Sequence, residues 1–417
     1  MLSAAAQPRT DKTLKDLLSQ HNDTIFRKVI DNPEQFRVQI IYTQIDRDKD
    51  NKPRFTDHYF NYDPKLYFNP ASMVKLPLAI LSLEKLNSLQ KEGVNRNTFI
   101  QFLKSEAWQT EMLTDSTAAS KLPTIAHLIK RALLISENDP YNRLYQFMGQ
   151  GDINRQLKEK GYKHSVITRQ FLGLTPDQNR YTNAILFLDR QGKEIYRQLA
   201  AYNTEPFNFK REIKLGNAHI DREGKLVNEP FDFTMHNNLS LRDMNLMLQA
   251  VLFPSSVEKD MRFSLTEDDR RFLLRYLSQY PSETPDPKYD TSQYYDSYVK
   301  FFFLNGSRKM PEHVRVFNKV GWSYGFMTDV SYVVDFKNKI EYMLAATIYV
   351  NSDGILNDNK YEYEAVGYPF FYQLGQLIHR YELVRQRKNV PDLSDVRIEY
   401  EKRAPGDNKG ALKDLDN

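Results

Sequence analysis

A serine and a lysine three residues apart form the most reactive candidate pair in the chain. Ser72 and Lys75 stand in the stretch FNPASMVKLPLAI, residues 68–80. On a helix, residues three apart share a face, so both side chains would point the same way. A serine hydroxyl is a weak nucleophile until a base removes its proton, and a lysine amine in a dry pocket is such a base. The spacing therefore predicts a covalent serine enzyme.

The surroundings of this pair distinguish it from other pairs with the same spacing. A polar, proline-containing approach leads into an apolar segment, which predicts that Ser72 lies at or just inside a helix N-terminus. The positive end of that helix favours negative charge developing beside the serine. Serine and lysine at this spacing are otherwise typical of a solvated helix face, and the chain has four further cases: Ser82/Lys85, Ser88/Lys91, Ser256/Lys259 and Ser297/Lys300.

The composition is that of a globular protein with balanced charge. With 417 residues, the chain can form one large domain with insertions or two domains. The 58 basic and 54 acidic residues do not predict nucleic-acid binding. No apolar run reaches the roughly 18 residues that predict a membrane span. The absence of cysteine excludes disulfides, thiolate metal sites and a cysteine nucleophile.

The first residues indicate export. The stretch MLSAAAQ, residues 1–7, has small residues followed by Gln, as at the end of a secretory signal. We therefore expect residues 1–12 to be a tail left from such a signal and the protein to be exported, periplasmic or secreted. The alternative is an ordinary disordered terminus.

Hydrophobic periodicity predicts strands at both ends of the chain around a mostly helical middle. The predicted strands are 36–45, 55–62, 314–320, 328–335 and 342–350, with a β-hairpin at 211–233. The predicted helices are 13–24, 76–89, 97–108, 124–135, 142–148, 152–160, 239–253, 266–280 and 361–383. The remaining long segments are a loop at 164–183, a polar excursion at 281–298 and a charged, frayed C-terminal tail at 388–417.

Two more short motifs follow the first pair. Ser136 opens the motif SEN at the end of a predicted helix, and Lys319 opens the motif KVG on a predicted strand. Together with Ser72 and Lys75, they resemble the class A serine β-lactamases and the penicillin-binding proteins, whose signature is Ser-x-x-Lys, Ser-Asp-Asn and Lys-Thr-Gly. Lys214 is the alternative start of the third motif, although it lacks the neighbouring strand and helix.

The resemblance implies a fold class and its division along the chain. The fold would be α/β (α+β), with an antiparallel sheet flanked by helices plus a mostly helical domain, and with insertions. The sheet domain would comprise residues 13–68 and 300–387. The helical domain would be 69–299, with the hairpin near 211–233 as an insertion, and 388–417 would be the charged tail.

The resemblance also implies a role for each motif residue. Ser72 would be the acyl-forming nucleophile and Lys75 its proton acceptor. Ser136 would relay a proton to the leaving nitrogen, and Asn138 would hold both Lys75 and the substrate amide. Lys319 would supply positive charge near Ser136 and the substrate carboxylate.

The third motif would also contribute backbone to the site. The N–H groups of Ser72 and Trp322 would form an oxyanion hole, with Gly321 beside them, where developing negative charge is best stabilised. The resemblance implies neither a metal nor another cofactor.

The sequence departs from the family pattern at three positions. Glu137 stands where the family has Asp, and the longer acid suggests a structural role. Val320 offers no hydroxyl where the family usually has Thr or Ser, which weakens recognition of a substrate carboxylate. Phe171, in the stretch RQF that begins at Arg169, stands where class A enzymes have the glutamate that drives deacylation. Glu159 on the preceding helix is a poor substitute, so we expect slow deacylation.

The leading interpretation is an exported serine hydrolase that performs acyl transfer through Ser72 on a β-lactam or a related amide or ester. A D-Ala-D-Ala peptidase of the penicillin-binding type is one alternative. The other is a non-catalytic protein that binds cell-wall or peptide fragments with the same fold. In each case the partner would be a small molecule or a peptide.

Overall fold

The computed structural model describes residues 9–209 and 212–415. In chain order the helices are α1 (Lys12–Ser19), α2 (Thr24–Asp31), α3 (Lys75–Ser88), α4 (Ile125–Leu134), α5 (Asn138–Met148), α6 (Gln150–Glu159), α7 (Leu241–Leu252), α8 (Glu267–Ser278) and α9 (Tyr368–Val384). The strands are β1 (Gln39–Arg47), β2 (Pro53–Phe60), β3 (Phe99–Leu103), β4 (Ala184–Leu188), β5 (Glu194–Gln198), β6 (Lys214–Leu215), β7 (Ala218–Ile220), β8 (Leu226–Val227), β9 (Phe231–Asp232), β10 (Val314–Ser323), β11 (Phe326–Asp335), β12 (Ile340–Tyr349) and β13 (Ile355–Leu356). The predicted signal remnant lies largely outside the described residues.

The main sheet joins the two ends of the chain. Its strand order is β10-β11-β12-β1-β2 and every neighbouring pair is antiparallel, with Ile40 of β1 opposite Ala346 of β12. One face packs against α1, α2 and α9, and the other against α7 and α8. The predicted antiparallel sheet flanked by helices is therefore confirmed. Since β10 is an edge strand, its outer side is available to the helical part of the molecule.

The helical part is built around α3. This helix is apolar on nearly all sides, and its residues from Lys75 to Leu83 are buried. A helix that is apolar all round is stable only inside a core, and α3 is enclosed by α4, α5 and α8. Burial of its first residues and of the turn before it removes Lys75 and Ser72 from bulk water, which is the dry environment that a lysine base requires.

One helix prediction is wrong, and another runs past the end of its helix. The segment 97–108 is not a helix but contains strand β3, in which Ile100 and Phe102 point inward at alternate positions. It pairs with β4, and β4 pairs with β5, to form a second antiparallel sheet. The first predicted helix, 13–24, corresponds to α1, which ends earlier, at Ser19. A further helix, α2, begins at Thr24, where the Asp23 side chain caps it by accepting a hydrogen bond from the Phe26 N–H at 2.9 Å.

The hairpin insertion has two ladders. Residue 211 lies outside the described residues. From 212 onward, β7 and β8 pair around a turn at 221–225, and β6 and β9 form a second antiparallel pair. Strand β13, which follows the main sheet, adds in parallel to β7, with Ile355 opposite Ala218. The insertion is thereby attached to the segment that follows β12.

Residues 388–415, the described part of the predicted charged tail, are not frayed. Although 388–417 is charged, Leu393, Val396 and Ile398 are buried in the core that contains α3. Beyond them, Leu412 pairs with Tyr289 as an isolated bridge. The prediction failed because three buried apolar residues anchor this segment between charged neighbours.

None of the helices within residues 9–209 and 212–415 combines the length and apolarity needed to cross a bilayer.

Candidate active site

Ser72 lies in a tight turn that leads directly into α3. Residues Ala71–Val74 form a single 3₁₀ turn, and α3 continues from Lys75. Ala71 has a φ of 43°, in the left-handed region, which costs roughly 1–2 kcal/mol for a residue with a Cβ. The Asn69 side chain supports this backbone by accepting the Ala71 N–H at 2.9 Å. Such strain persists only where the surroundings enforce it, and it is characteristic of functional turns.

Lys75 lies at the centre of the predicted site. Its Nζ is 2.7 Å from Ser72 Oγ and 2.9 Å from Asn138 Oδ1. It also contacts the main-chain oxygen of Ser136 closely, and lies 3.3 Å from Ser136 Oγ. The amine is completely buried, so every one of these contacts is made away from solvent.

The second and third motifs meet at Ser136. Lys319 Nζ donates to Ser136 Oγ at 2.8 Å and to the Val320 carbonyl oxygen at 2.8 Å. Ser136 itself has a φ of 70°, a second strained residue in the same site. The side chains of Ser72, Lys75, Ser136, Asn138 and Lys319 therefore converge, as the sequence predicted.

Both lysines are shifted towards their neutral forms. Burial, with the positive charge of Lys319, holds the pKa of Lys75 well below its usual value. Burial also lowers the pKa of Lys319 to about 7, although Asp329 acts in the opposite direction. Neither amine has a carboxylate within ion-pair distance in residues 9–209 and 212–415. A buried, unpaired lysine loses its proton readily, which suits Lys75 to the role of proton acceptor.

Gly321 allows β10 to approach the serine turn. A Cβ at this position would lie 2.4 Å from the Pro70 carbonyl oxygen and 3.0 Å from the Met73 N–H nitrogen. A side chain is thus excluded where the edge strand meets the turn that carries Ser72. Glycine, which has no Cβ, is the one residue that fits at this position of β10.

The backbone N–H of Trp322 points from β10 towards the turn that carries Ser72. Tyr324 and Gly325, both with positive φ, form the two-residue turn between β10 and β11. Because Ser323 and Phe326 close this turn, antiparallel alternation directs the N–H of Trp322 away from β11. The N–H groups of Trp322 and Ser72 are therefore candidates for the predicted oxyanion hole.

Glu137 faces away from the site, towards a buried ionic cluster. Its Oε2 accepts from Arg131 at 2.6 and 2.9 Å, and its Oε1 accepts from the Tyr289 hydroxyl at 2.7 Å. Arg131 also contacts Asp115 at 3.2 Å. The carboxylate thus anchors the turn between Ser136 and Asn138. No local sequence pattern indicated this role for Tyr289, which lies in the predicted polar excursion.

Phe171 occupies the wall beside Lys75. Its ring centroid is 5.4 Å from Lys75 Nζ. The ring stacks on that of Tyr141, with the two centroids 4.4 Å apart. The Phe171 N–H donates to the Asn142 side chain at 2.7 Å. Glu159, the poor substitute for a missing glutamate, instead pairs with Arg155 on the exposed face of α6.

Two other positions named in the sequence analysis, Val320 and Lys214, do not contribute side chains to the candidate active site. The Val320 side chain is buried in the core on the opposite face of the sheet, where it contributes to packing. Lys214, the alternative start of the third motif, is on the exposed strand β6 and pairs with Glu212 at 3.1 Å. The structure therefore favours Lys319 over Lys214.

The chain belongs to the beta-lactamase enzyme family, whose sequence model matches residues 23–281. No curated protein sequence matches the chain. Among solved structures, it is similar to a beta-lactamase from Sphaerobacter thermophilus, with 13% identity, a TM-score of 0.46 and coverage of 89% of this chain and 98% of the other. A class A beta-lactamase from Mycobacterium abscessus is similar at 12% identity, a TM-score of 0.46 and coverage of 86% and 98%.

Proposed function

We propose that the protein is a serine hydrolase that transfers acyl groups through Ser72 and releases them slowly. The observation that carries this proposal is the contact between Ser72 Oγ and the buried amine of Lys75, at 2.7 Å. An amine without a carboxylate partner is a competent base, and a hydroxyl within hydrogen-bond reach is its natural proton donor.

Acylation would begin with proton transfer from Ser72 to Lys75. In its neutral form the amine donates its hydrogens to the Ser136 carbonyl oxygen and to Asn138 Oδ1, which leaves the lone pair for the serine proton. Ser72 Oγ then forms a bond to the carbonyl carbon of the substrate. The resulting oxyanion would accept hydrogen bonds from the N–H groups of Ser72 and Trp322, an interaction that contributes roughly 2.7–4 kcal/mol per donor.

The leaving group would depart on the side of Ser136. The Ser136 hydroxyl lies between Lys75 and Lys319, at 3.3 and 2.8 Å. It can therefore give its proton to the leaving nitrogen or oxygen while it recovers one from the protonated Lys75. The carbonyl–heteroatom bond breaks, and the acyl group remains on Ser72.

Deacylation would lack a carboxylate base. Within residues 9–209 and 212–415, no Asp or Glu oxygen is in hydrogen-bond distance of Ser72 or Lys75, and the Phe171 ring lies on the wall beside them. General-base assistance contributes roughly 10²–10⁴-fold to such a step. We therefore expect the acyl-enzyme to persist, whether the acyl donor is a β-lactam, an ester or another amide.

Intact-mass spectrometry after brief exposure to benzylpenicillin tests the proposal. We expect one adduct that retains the mass of the penicillin and is absent from Ser72→Ala. Rapid penicillin consumption without an adduct would contradict slow deacylation and point to a base other than the missing glutamate. A wild-type protein that shows neither adduct nor turnover, and that a fluorophosphonate also fails to label, would be a binding protein instead.

A further inference from the structure

Arg169 is a cation beside the site without an acidic partner. In residues 9–209 and 212–415, no carboxylate lies within 4.0 Å of its guanidinium. The backbone around it is fixed, because its N–H donates to Asn237 Oδ1 at 3.0 Å and its carbonyl accepts from the Tyr141 hydroxyl at 2.7 Å. Tyr141 is the residue on which Phe171 stacks, so the guanidinium is attached to the wall of the candidate active site.

The contact that Arg169 does make leaves its charge uncompensated. Its Nη1 lies 2.8 Å from His236 Nε2. Burial, together with the positive charge of Arg169, lowers the pKa of His236 to about 3, so the imidazole is neutral at physiological pH. Asp232 acts electrostatically on His236 but forms no ion pair with Arg169. A half-buried cation with a neutral partner favours an additional anion.

The aromatic residues around His236 connect Arg169 to β10. The imidazole packs edge-on against Phe231 and Phe233 of the insertion, with centroids 5.5 and 5.1 Å away, and lies 6.2 Å from the Tyr324 ring. Tyr324 is in the turn at the end of β10, two residues after Trp322. Arg169 is therefore located towards the Tyr324 end of this strand.

The direction of β10 indicates which part of a substrate lies there. Lys319 contacts Ser136, the group that would protonate the leaving atom, so it marks the leaving-group end. Trp322 would hold the carbonyl oxygen, and Tyr324 follows it in the turn at the end of the strand. A substrate bound along this edge would place its acyl side chain towards Tyr324, on the side of Arg169.

We propose that Arg169 binds an anionic group, a carboxylate, on the acyl side chain of the substrate. The proposal rests on the proposed acyl transfer through Ser72 and specifies its substrate class: acyl donors with negative charge on the acyl portion. The guanidinium can present its remaining N–H groups to such a carboxylate in a bidentate arrangement. No covalent step is involved, and Arg169 acts only as a specificity residue.

Matched activated esters test this assignment. Mono-p-nitrophenyl esters of succinic, glutaric and adipic acids carry a carboxylate on the acyl chain, and the p-nitrophenyl esters of the corresponding simple fatty acids do not. The measured quantity is the rate of the p-nitrophenolate burst on Ser72, corrected with Ser72→Ala. For the best chain length we expect Arg169→Gln to lower the anionic-to-neutral rate ratio about 10–100-fold, the range of a charge-assisted hydrogen bond. Added salt should reduce the wild-type ratio.

A conservative variant separates recognition from structural support. Arg169→Lys should restore part of the ratio, since it keeps the charge but loses the bidentate geometry. An unchanged ratio in Arg169→Gln, or equal losses for both ester classes in both variants, would overturn the assignment while acyl transfer stands. Equal rates for wild-type protein and Ser72→Ala with every ester would instead refute acyl transfer, and the assignment with it.

Discussion

Gly321→Ala offers a direct test of how the site is assembled. Gly321 does not have a positive φ, so alanine adds no backbone strain there, and the effect of the added Cβ is purely steric. The Cβ would lie 2.4 Å from the Pro70 carbonyl oxygen, whereas carbon atoms in contact are about 3.5–4.0 Å from their neighbours. Strand β10 and the turn carrying Ser72 must then separate by roughly 1 Å.

The two consequences of this separation differ in size. Overpacking of this kind costs about 1–3 kcal/mol, which for a chain of this length corresponds to a fall in Tm of a few degrees. Misplacement of catalytic groups by about 1 Å lowers the rate of a reaction on the order of 10²-fold. Here the rate would fall because the N–H groups of Trp322 and Ser72 no longer face the same oxygen. We therefore expect the acylation rate to fall far more than the stability does.

Thermal unfolding and the burst of an activated ester measure the two quantities on the same sample. Gly306→Ala is the matched control, because an added Cβ there meets nothing within 4 Å, and we expect both quantities to stay near wild type. If Gly321→Ala acylates at the wild-type rate, β10 does not lie against the serine turn as described and the oxyanion assignment is wrong.

Three more predictions follow from the contacts around Lys75 and Glu137. Phe171→Glu should shorten the lifetime of the acyl-enzyme by up to about 10²–10⁴-fold, measured by the decay of the adduct mass, whereas Phe171→Leu should not. The acylation rate should fall as pH is lowered and Lys75, whose pKa burial holds below its usual value, becomes protonated; a pH-independent burst would exclude Lys75 as the base for Ser72. Tyr289→Phe removes the hydroxyl that donates to Glu137 and should lower the free energy of unfolding by about 1–3 kcal/mol in chemical denaturation, and no loss would show that Glu137 finds another donor.

The elements that carry the motifs could be predicted because their signals are local. The sequence predicts helix α3 at 76–89, because an uninterrupted apolar segment follows a proline-containing approach, and the helix occupies Lys75–Ser88. The three final strands predicted from the sequence lie within a few residues of β10, β11 and β12. The order of the three motifs then indicated which lysine belongs near Ser136, although only the folded chain shows the contact at 2.8 Å.

The failures arose where pairing partners are distant in sequence. Strand β3 has alternate buried residues at Ile100 and Phe102, but its partner β4 lies beyond α4, α5 and α6, so nothing local distinguished a strand from a helix. The contact of Tyr289 with Glu137 was equally hidden, because the two residues are 152 positions apart. Burial between remote segments, not local propensity, determined both features.

The pairing of β1 with β12 has a consequence for how the protein is made. Ile40 finds its partner Ala346 only after the whole segment between them has left the ribosome, and β2 can be held in the main sheet only through β1. Contacts of such long sequence separation slow folding, because the intervening chain must be ordered before they form. Until β12 is synthesised, the hairpin of β1 and β2 exposes an unpaired edge, and such edges are prone to aggregation. Nascent chains of this protein should therefore depend on factors that cover this strand edge until β12 is available.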